Sequence, residues 1–215
     1  MKKTFTILAL AFAVNAFAQI PISGMVGYWP FTGNANDLSG NNNNGTVTGA
    51  TLVADRFGNP NAAYSFNGTS NYITVPSAAS ISNFPSGQTL SFWAKISAYP
   101  TDGKEHYMID KTDNTSKFYQ AFISDFTNVD NIVYRYGQSS TVSSQGTAIP
   151  FANLPINQWF NICFTTDLTV TKTYINGVHF QTFNMYSAIG ANANPLIFGN
   201  TNIVNATNAP YNGNL

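Results

Sequence analysis

An all-β sandwich is the fold class that this 215-residue sequence predicts, and three observations predict it. β-Branched and aromatic residues recur in short runs. Clusters of Gly, Pro and Asn separate those runs at regular spacing. Helical periodicity is scarce beyond the first eighteen residues. A succession of about a dozen short strands with turns between them makes a two-sheet antiparallel sandwich or jelly roll. Charged residues are only 8% of the chain, yet it has 17 Phe, 11 Tyr and 3 Trp. A disordered chain shows the opposite balance, so this one can bury a core. Its polarity comes from Asn, Thr, Ser and Gly, the residues that turns use.

The chain opens differently. Lys2 and Lys3 precede an apolar run from Phe5 to Phe12, and Ala16-Phe17-Ala18 supplies a small-x-small cleavage pattern before Gln19. Residues 1–18 therefore read as a secretory signal peptide, and the apolar run is shorter than the roughly 20 residues a membrane span requires. Its removal leaves 197 of the 215 residues, with seven basic and nine acidic side chains, net −2 with His neutral. That balance gives no basic face for nucleic acid. Residues 19–215 suit one domain, because sandwiches of about 200 residues are ordinary single units.

Strands are expected in order at 27–31, 51–54, 63–66, 72–75, 89–96, 107–110, 118–124, 132–136, 159–166, 171–175, 178–183 and 196–199. In 89–96, Leu90, Phe92, Ala94 and Ile96 share one face, and Ser91, Trp93 and Lys95 the other. In 159–166, Phe160, Ile162 and Phe164 face away from Cys163. Cys163, the single cysteine, has no partner for an internal disulfide, and its apolar setting reads as an inert thiol. Asn176-Gly177 between two strand-like runs is the pair that a type I′ hairpin turn prefers, since both residues need positive φ.

Several segments then resemble one family. Gly27-Tyr-Trp-Pro-Phe31, followed by the Asn-rich loop around Asp37-Leu-Ser-Gly40, resembles the opening of bacterial LamG-like, or concanavalin A-like, jelly-roll domains. Asp55-Arg-Phe-Gly-Asn59, Ala63-Tyr-Ser-Phe-Asn-Gly68, Thr89-Leu-Ser-Phe-Trp-Ala-Lys95, Asn157-Gln-Trp-Phe-Asn161 and Tyr174-Ile-Asn-Gly177 fall in that family's order. The resemblance covers residues 25–215 and implies a carbohydrate-binding or adhesion module of an exported, Bacteroidetes-like protein. Family members continue past a segment like Tyr211-Asn-Gly-Asn-Leu215 into a closing strand, so this chain is expected to be a fragment that lacks the domain's final strand.

Chemistry is sparse. A glycosidase needs two carboxylates across the scissile bond. Here the single glutamate, Glu105, stands in a polar loop, and Asp102, Asp110, Asp113, Asp125, Asp130 and Asp167 sit singly in turn-like settings. His106 and His179 belong to no nucleophile motif. The reading is a non-catalytic recognition module for glycans or cell-surface components, with a structural spacer as runner-up and a glycan hydrolase third. Asp37, Asn42 and Gly45 in the Asn-rich loop are the candidate ligands of a structural Ca²⁺, an ion the family resemblance implies and hard oxygens suit. Trp29, Trp93 and Trp159 lie among apolar residues and are assigned to packing; Tyr99, Tyr107, Tyr136 and Tyr186 are the surface candidates for stacking on sugars. Sequons at Asn44, Asn67, Asn114 and Asn205 reflect Asn/Thr richness.

Overall fold

The computed structural model describes residues 23–112, 118–125, 131–137, 145–167, 169–184, 192–202 and 208–215. The leader predicted at 1–18 lies outside them, as do Asp113, Asn114, Asp130, Tyr186 and Asn205. Among the described residues the strands are β1 (Thr46–Thr48), β2 (Thr51–Val53), β3 (Ala63–Asn67), β4 (Tyr72–Val75), β5 (Gln88–Ile96), β6 (Glu105–Lys111), β7 (Phe118–Ser124) and β8 (Asn131–Gly137). They continue as β9 (Gln145–Pro150), β10 (Phe160–Thr166), β11 (Val170–Ile175), β12 (Val178–Asn184), β13 (Leu196–Phe198), β14 (Asn208–Pro210) and β15 (Asn212–Asn214). No helix among the described residues is long and apolar enough to cross a membrane.

Two sheets form a jelly-roll sandwich. The first runs β1-β4-β13-β6-β7-β8-β9, with β14 added in parallel to β6; the second runs β12-β11-β10-β5-β15-β3-β2. The expected alternation in β5 and β10 holds. Ala94, Ile96, Phe160, Ile162 and Phe164 are buried, and Ser91 and Trp93 face out. Opposite them the first sheet buries Tyr119, Ala121, Ile123, Ile132, Tyr134 and Tyr136. Tyr134 stacks on Phe164 across the gap, with centroids 4.5 Å apart and planes 10° off parallel. Buried hydroxyls need partners: Tyr134 accepts from the Gln88 amide, and Tyr136 from the Thr171 hydroxyl at 3.1 Å. Asn176 and Gly177 take φ values of 49° and 78°, as the I′ turn demands.

Two expectations fail. The segment 27–31 is not a strand. Pro30 has no N–H for a ladder, and this stretch is instead held by side chains: Trp29 Nε1–H donates to the Asn43 carbonyl at 2.8 Å, and its ring meets Phe198 edge-on at 5.3 Å. Glu105 and Asp110 stand in neither loop nor turn: the strand expected at 107–110 begins at Glu105, so both lie in β6. A register shift between Tyr107 and Ile109 inserts an extra residue and brings Asp110 onto the face that carries Glu105 and Tyr107.

Candidate functional site

The Asn-rich loop is the first candidate. Asp37 is 7% exposed. Its Oδ1 accepts from the Tyr28 and Ser39 amides, both at 2.8 Å; its Oδ2 accepts from the Ser39 hydroxyl at 2.8 Å and the Asn43 amide at 3.0 Å. Burial by itself raises the Asp37 carboxyl. The Ser39, Tyr28 and Asn43 N–H groups and the Ser39 hydroxyl outweigh burial and hold the pKa below its ordinary 3.8. A carboxylate offers about four lone-pair directions, so all are taken. The Asn42 carbonyl, at a residue with φ 58°, accepts from the Asn44 amide at 2.8 Å, and the Gly45 N–H donates to Ala35 O at 2.8 Å. Ca²⁺ takes six to eight oxygens, often several of them anionic. One saturated carboxylate does not fit that requirement, and a cation would have to displace a donor. The loop is a clasp that fastens residues 25–29: Asn43 Nδ2 also donates to Val26 O (2.8 Å), and Leu38 N to Tyr28 O (2.8 Å).

The second candidate is the outer face of the first sheet, where the bulge aligns Glu105, Tyr107 and Asp110. The Glu105 carboxylate is forked by Arg135 at 2.6 and 3.3 Å and receives the Tyr107 hydroxyl at 2.5 Å. Asp110 is fully buried and accepts from Gln120 Nε2 (2.8 Å), the Thr201 hydroxyl (3.0 Å) and the Asn202 amide (2.7 Å). Burial raises its pKa against those bonds. Glu105 and Asp110 face Ser124 and Gln120 of β7. Four strand steps at about 3.4 Å separate them by about 14 Å, beyond the roughly 5–9.5 Å of glycosidase pairs. On the second sheet, Cys163 pairs with Tyr174 and Tyr174 with His179. Two strand spacings of about 4.8 Å keep that thiol roughly 10 Å from the imidazole, and burial pushes the thiol pKa up. His106 is held by Asp102 Oδ1 at 2.8 Å and Pro210 O at 3.0 Å.

The aromatic candidates change places. Tyr107 and Tyr136 are buried, and Tyr99 stacks on Phe151 at 4.0 Å while its hydroxyl donates to Phe151 O and Leu154 O. Trp29 packs as expected and Trp159 is half-buried. Trp93 is exposed at 36% on the outer face of β5, flanked by Ser91 and Lys95. The loop from β2 to β3 turns back over it. Asp55 ties that loop by accepting from Phe57 N (2.8 Å), Asn59 N (2.9 Å) and Asn59 Nδ2 (3.0 Å). The Arg56 guanidinium carbon then stands 4.3 Å from the Trp93 ring centroid and 4.2 Å from that of Phe57, which is 73% exposed. An exposed ring beside a stacked guanidinium can take a flat apolar ligand face together with polar groups at its rim. The polar neighbours Ser91 and Lys95 were the sequence signal that Trp93 faces solvent.

Residues 67–215 match the concanavalin A-like lectin/glucanases superfamily. Among solved structures, the chain is similar to domain 4 of AbnA, an extracellular GH43 arabinanase from Geobacillus stearothermophilus, solved with arabinotriose. The identity is 20% over 87% of each chain, with a TM-score of 0.63. It is also similar to the binding domain of Paraclostridial Mosquitocidal Protein 1, at 23% identity over 83% of this chain and 45% of that one, TM-score 0.63. The binding domain of Botulinum Neurotoxin DC in complex with SialylT follows at 20% identity over 83% and 42%, TM-score 0.62. This chain thus spans under half the length of those two toxin domains. No curated protein matches by sequence.

Proposed function

Because the chain belongs to the concanavalin A-like lectin/glucanases superfamily, we propose that it is a non-catalytic carbohydrate-recognition module, exported and displayed or released outside the cell. The observation that carries the reading is the outward stack of Phe57, Arg56 and Trp93 on a sheet face. A sugar ring presents an apolar C–H face to an exposed aromatic ring, and stacking of that kind needs no charge relay and no metal. The carboxylates support the same reading. Glu105 is committed to Arg135 and Tyr107, and Asp110 to buried donors, so neither is placed to act as acid or base on a bound glycan. The related arabinanase domain solved with a trisaccharide supports a glycan as the ligand class. Export rests on the leader at residues 1–18, with cleavage before Gln19.

A glycan array probed with the mature protein tests the reading. Binding to at least one glycan, lost on Phe57→Ala with the melting temperature unchanged, is expected. A folded protein that binds nothing on the array contradicts it and favours a spacer domain.

A further inference from the structure

The charges around the Phe57 platform narrow its ligand, given the glycan reading above. Arg135 is paired with Glu105 and Lys104 lies 3.9 Å from Asp102, while Lys111 is buried against Ser77, Asn192 and Asn194. Lys172 lies in the field of Asp167 and Arg56 in that of Asp55. Arg56 differs in standing against two rings. Among the described residues its guanidinium makes no ion pair and no hydrogen bond, and its central carbon stands over the Phe57 and Trp93 rings. The adjacent Asp55 carboxylate makes no ion pair with it, and its oxygens accept from Phe57 and Asn59 within the turn.

A guanidinium held over rings with its N–H donors unclaimed presents an edge that matches the two oxygens of a carboxylate. Lys95 follows Trp93 by two positions on the same strand face, about 6.8 Å along β5. It likewise has no ion pair among the described residues. Two cations therefore flank one exposed aromatic ring on a protein whose mature chain is net acidic.

We propose that the Arg56–Phe57–Trp93 surface selects sugars that bear a carboxylate, the sugar ring stacking on Phe57 while its carboxylate takes the Arg56 fork and faces Lys95. An acidic peptide would satisfy the charge but has no flat ring to lay on Phe57, so the ring and the acid together define the ligand. Pre-organisation of the fork lowers the ordering cost of each contact.

Calorimetric titration tests this with five probes: tetragalacturonate, its methyl ester, 3′-sialyllactose with lactose as its neutral control, and a tetraglutamate peptide. Tetragalacturonate or sialyllactose is expected to bind at least tenfold tighter than its uncharged counterpart. Arg56→Ala should remove that preference, and Arg56→Lys should restore only part of it, since a point charge cannot supply the fork. The ester and lactose arms use the wild-type protein, so the outcome stands even if a variant misfolds. Equal binding of charged and neutral sugars, undiminished binding by Arg56→Ala, or tetraglutamate binding as tightly as the uronide would overturn the proposal while leaving glycan recognition intact. If no array glycan and none of these sugars binds, both readings fall.

Discussion

At the residue scale, two arginines and one aspartate show how partner geometry decides what a charge is for. Arg135 and Glu105 satisfy one another, so that pair braces the outer face of the first sheet. Arg56 is braced by rings and keeps its donors for something else. Asp37 has four donors and nothing left to give a metal. Asp37→Asn substitutes an amide whose NH₂ must face N–H groups. A buried donor left unmet costs about 1–3 kcal/mol, so unfolding in urea at pH 7 should show a loss of that size with an unchanged slope. The pH dependence follows in sign. The folded-state pKa of Asp37 lies below the ordinary value, so its contribution is present above about pH 4 and is lost as the pH falls through the folded value. Wild-type stability should drop along that acid limb more steeply than the stability of the asparagine variant.

At the scale of elements, periodicity was readable wherever a strand has one wet and one dry face. The alternation from Leu90 to Ile96 and the Asn176-Gly177 hairpin both appear where the residues put them. Three short strands were not readable, although the equally short β2 and β13 were: β1, β14 and β15 have three residues each, and Asn212-Gly-Asn214 carries turn chemistry although it lies between β3 and β5. What makes that stretch a strand is its two neighbours. The clasped segment at 27–31 erred the other way, since its aromatics match a strand while its hydrogen bonds run to the Asp37 carboxylate and the Asn43 carbonyl of the loop. Bulges leave no signature either, which is why the shared face of Glu105 and Asp110 was hidden. A close approach has its own consequence. Gly199, after β13, has φ 83°, and a Cβ there would lie 2.2 Å from Phe66 Cδ1. Left-handed strain of about 1–2 kcal/mol and overpacking of about 1–3 kcal/mol add. Gly199→Ala should therefore destabilise by about 2–5 kcal/mol, seen as a lower urea midpoint.

At the scale of the whole molecule, the packed interior and the proposed recognition surface lie on opposite faces of the second sheet. The interior is filled by aromatic contacts across the sheets, such as Tyr134 on Phe164, and Trp93 stands on the outer face. The site was half legible. Trp93 was already assigned to the face of Ser91 and Lys95, but its apolar neighbours argued for packing. The return of the β2–β3 loop across several strands is a tertiary contact that no local pattern encodes. Tyr99, Tyr107 and Tyr136, chosen as surface candidates, were drawn into the core or against Phe151, because each had a partner for its hydroxyl there.

The most direct measurement is a two-dimensional amide and indole NMR titration of the mature protein with tetragalacturonate. Recognition at the outer face of the second sheet predicts that the Trp93 indole N–H and the amides of Arg56, Phe57 and Lys95 shift first and saturate together. Shifts confined to the Asp37 loop, or to the Glu105 and Asp110 face of the first sheet, would contradict it.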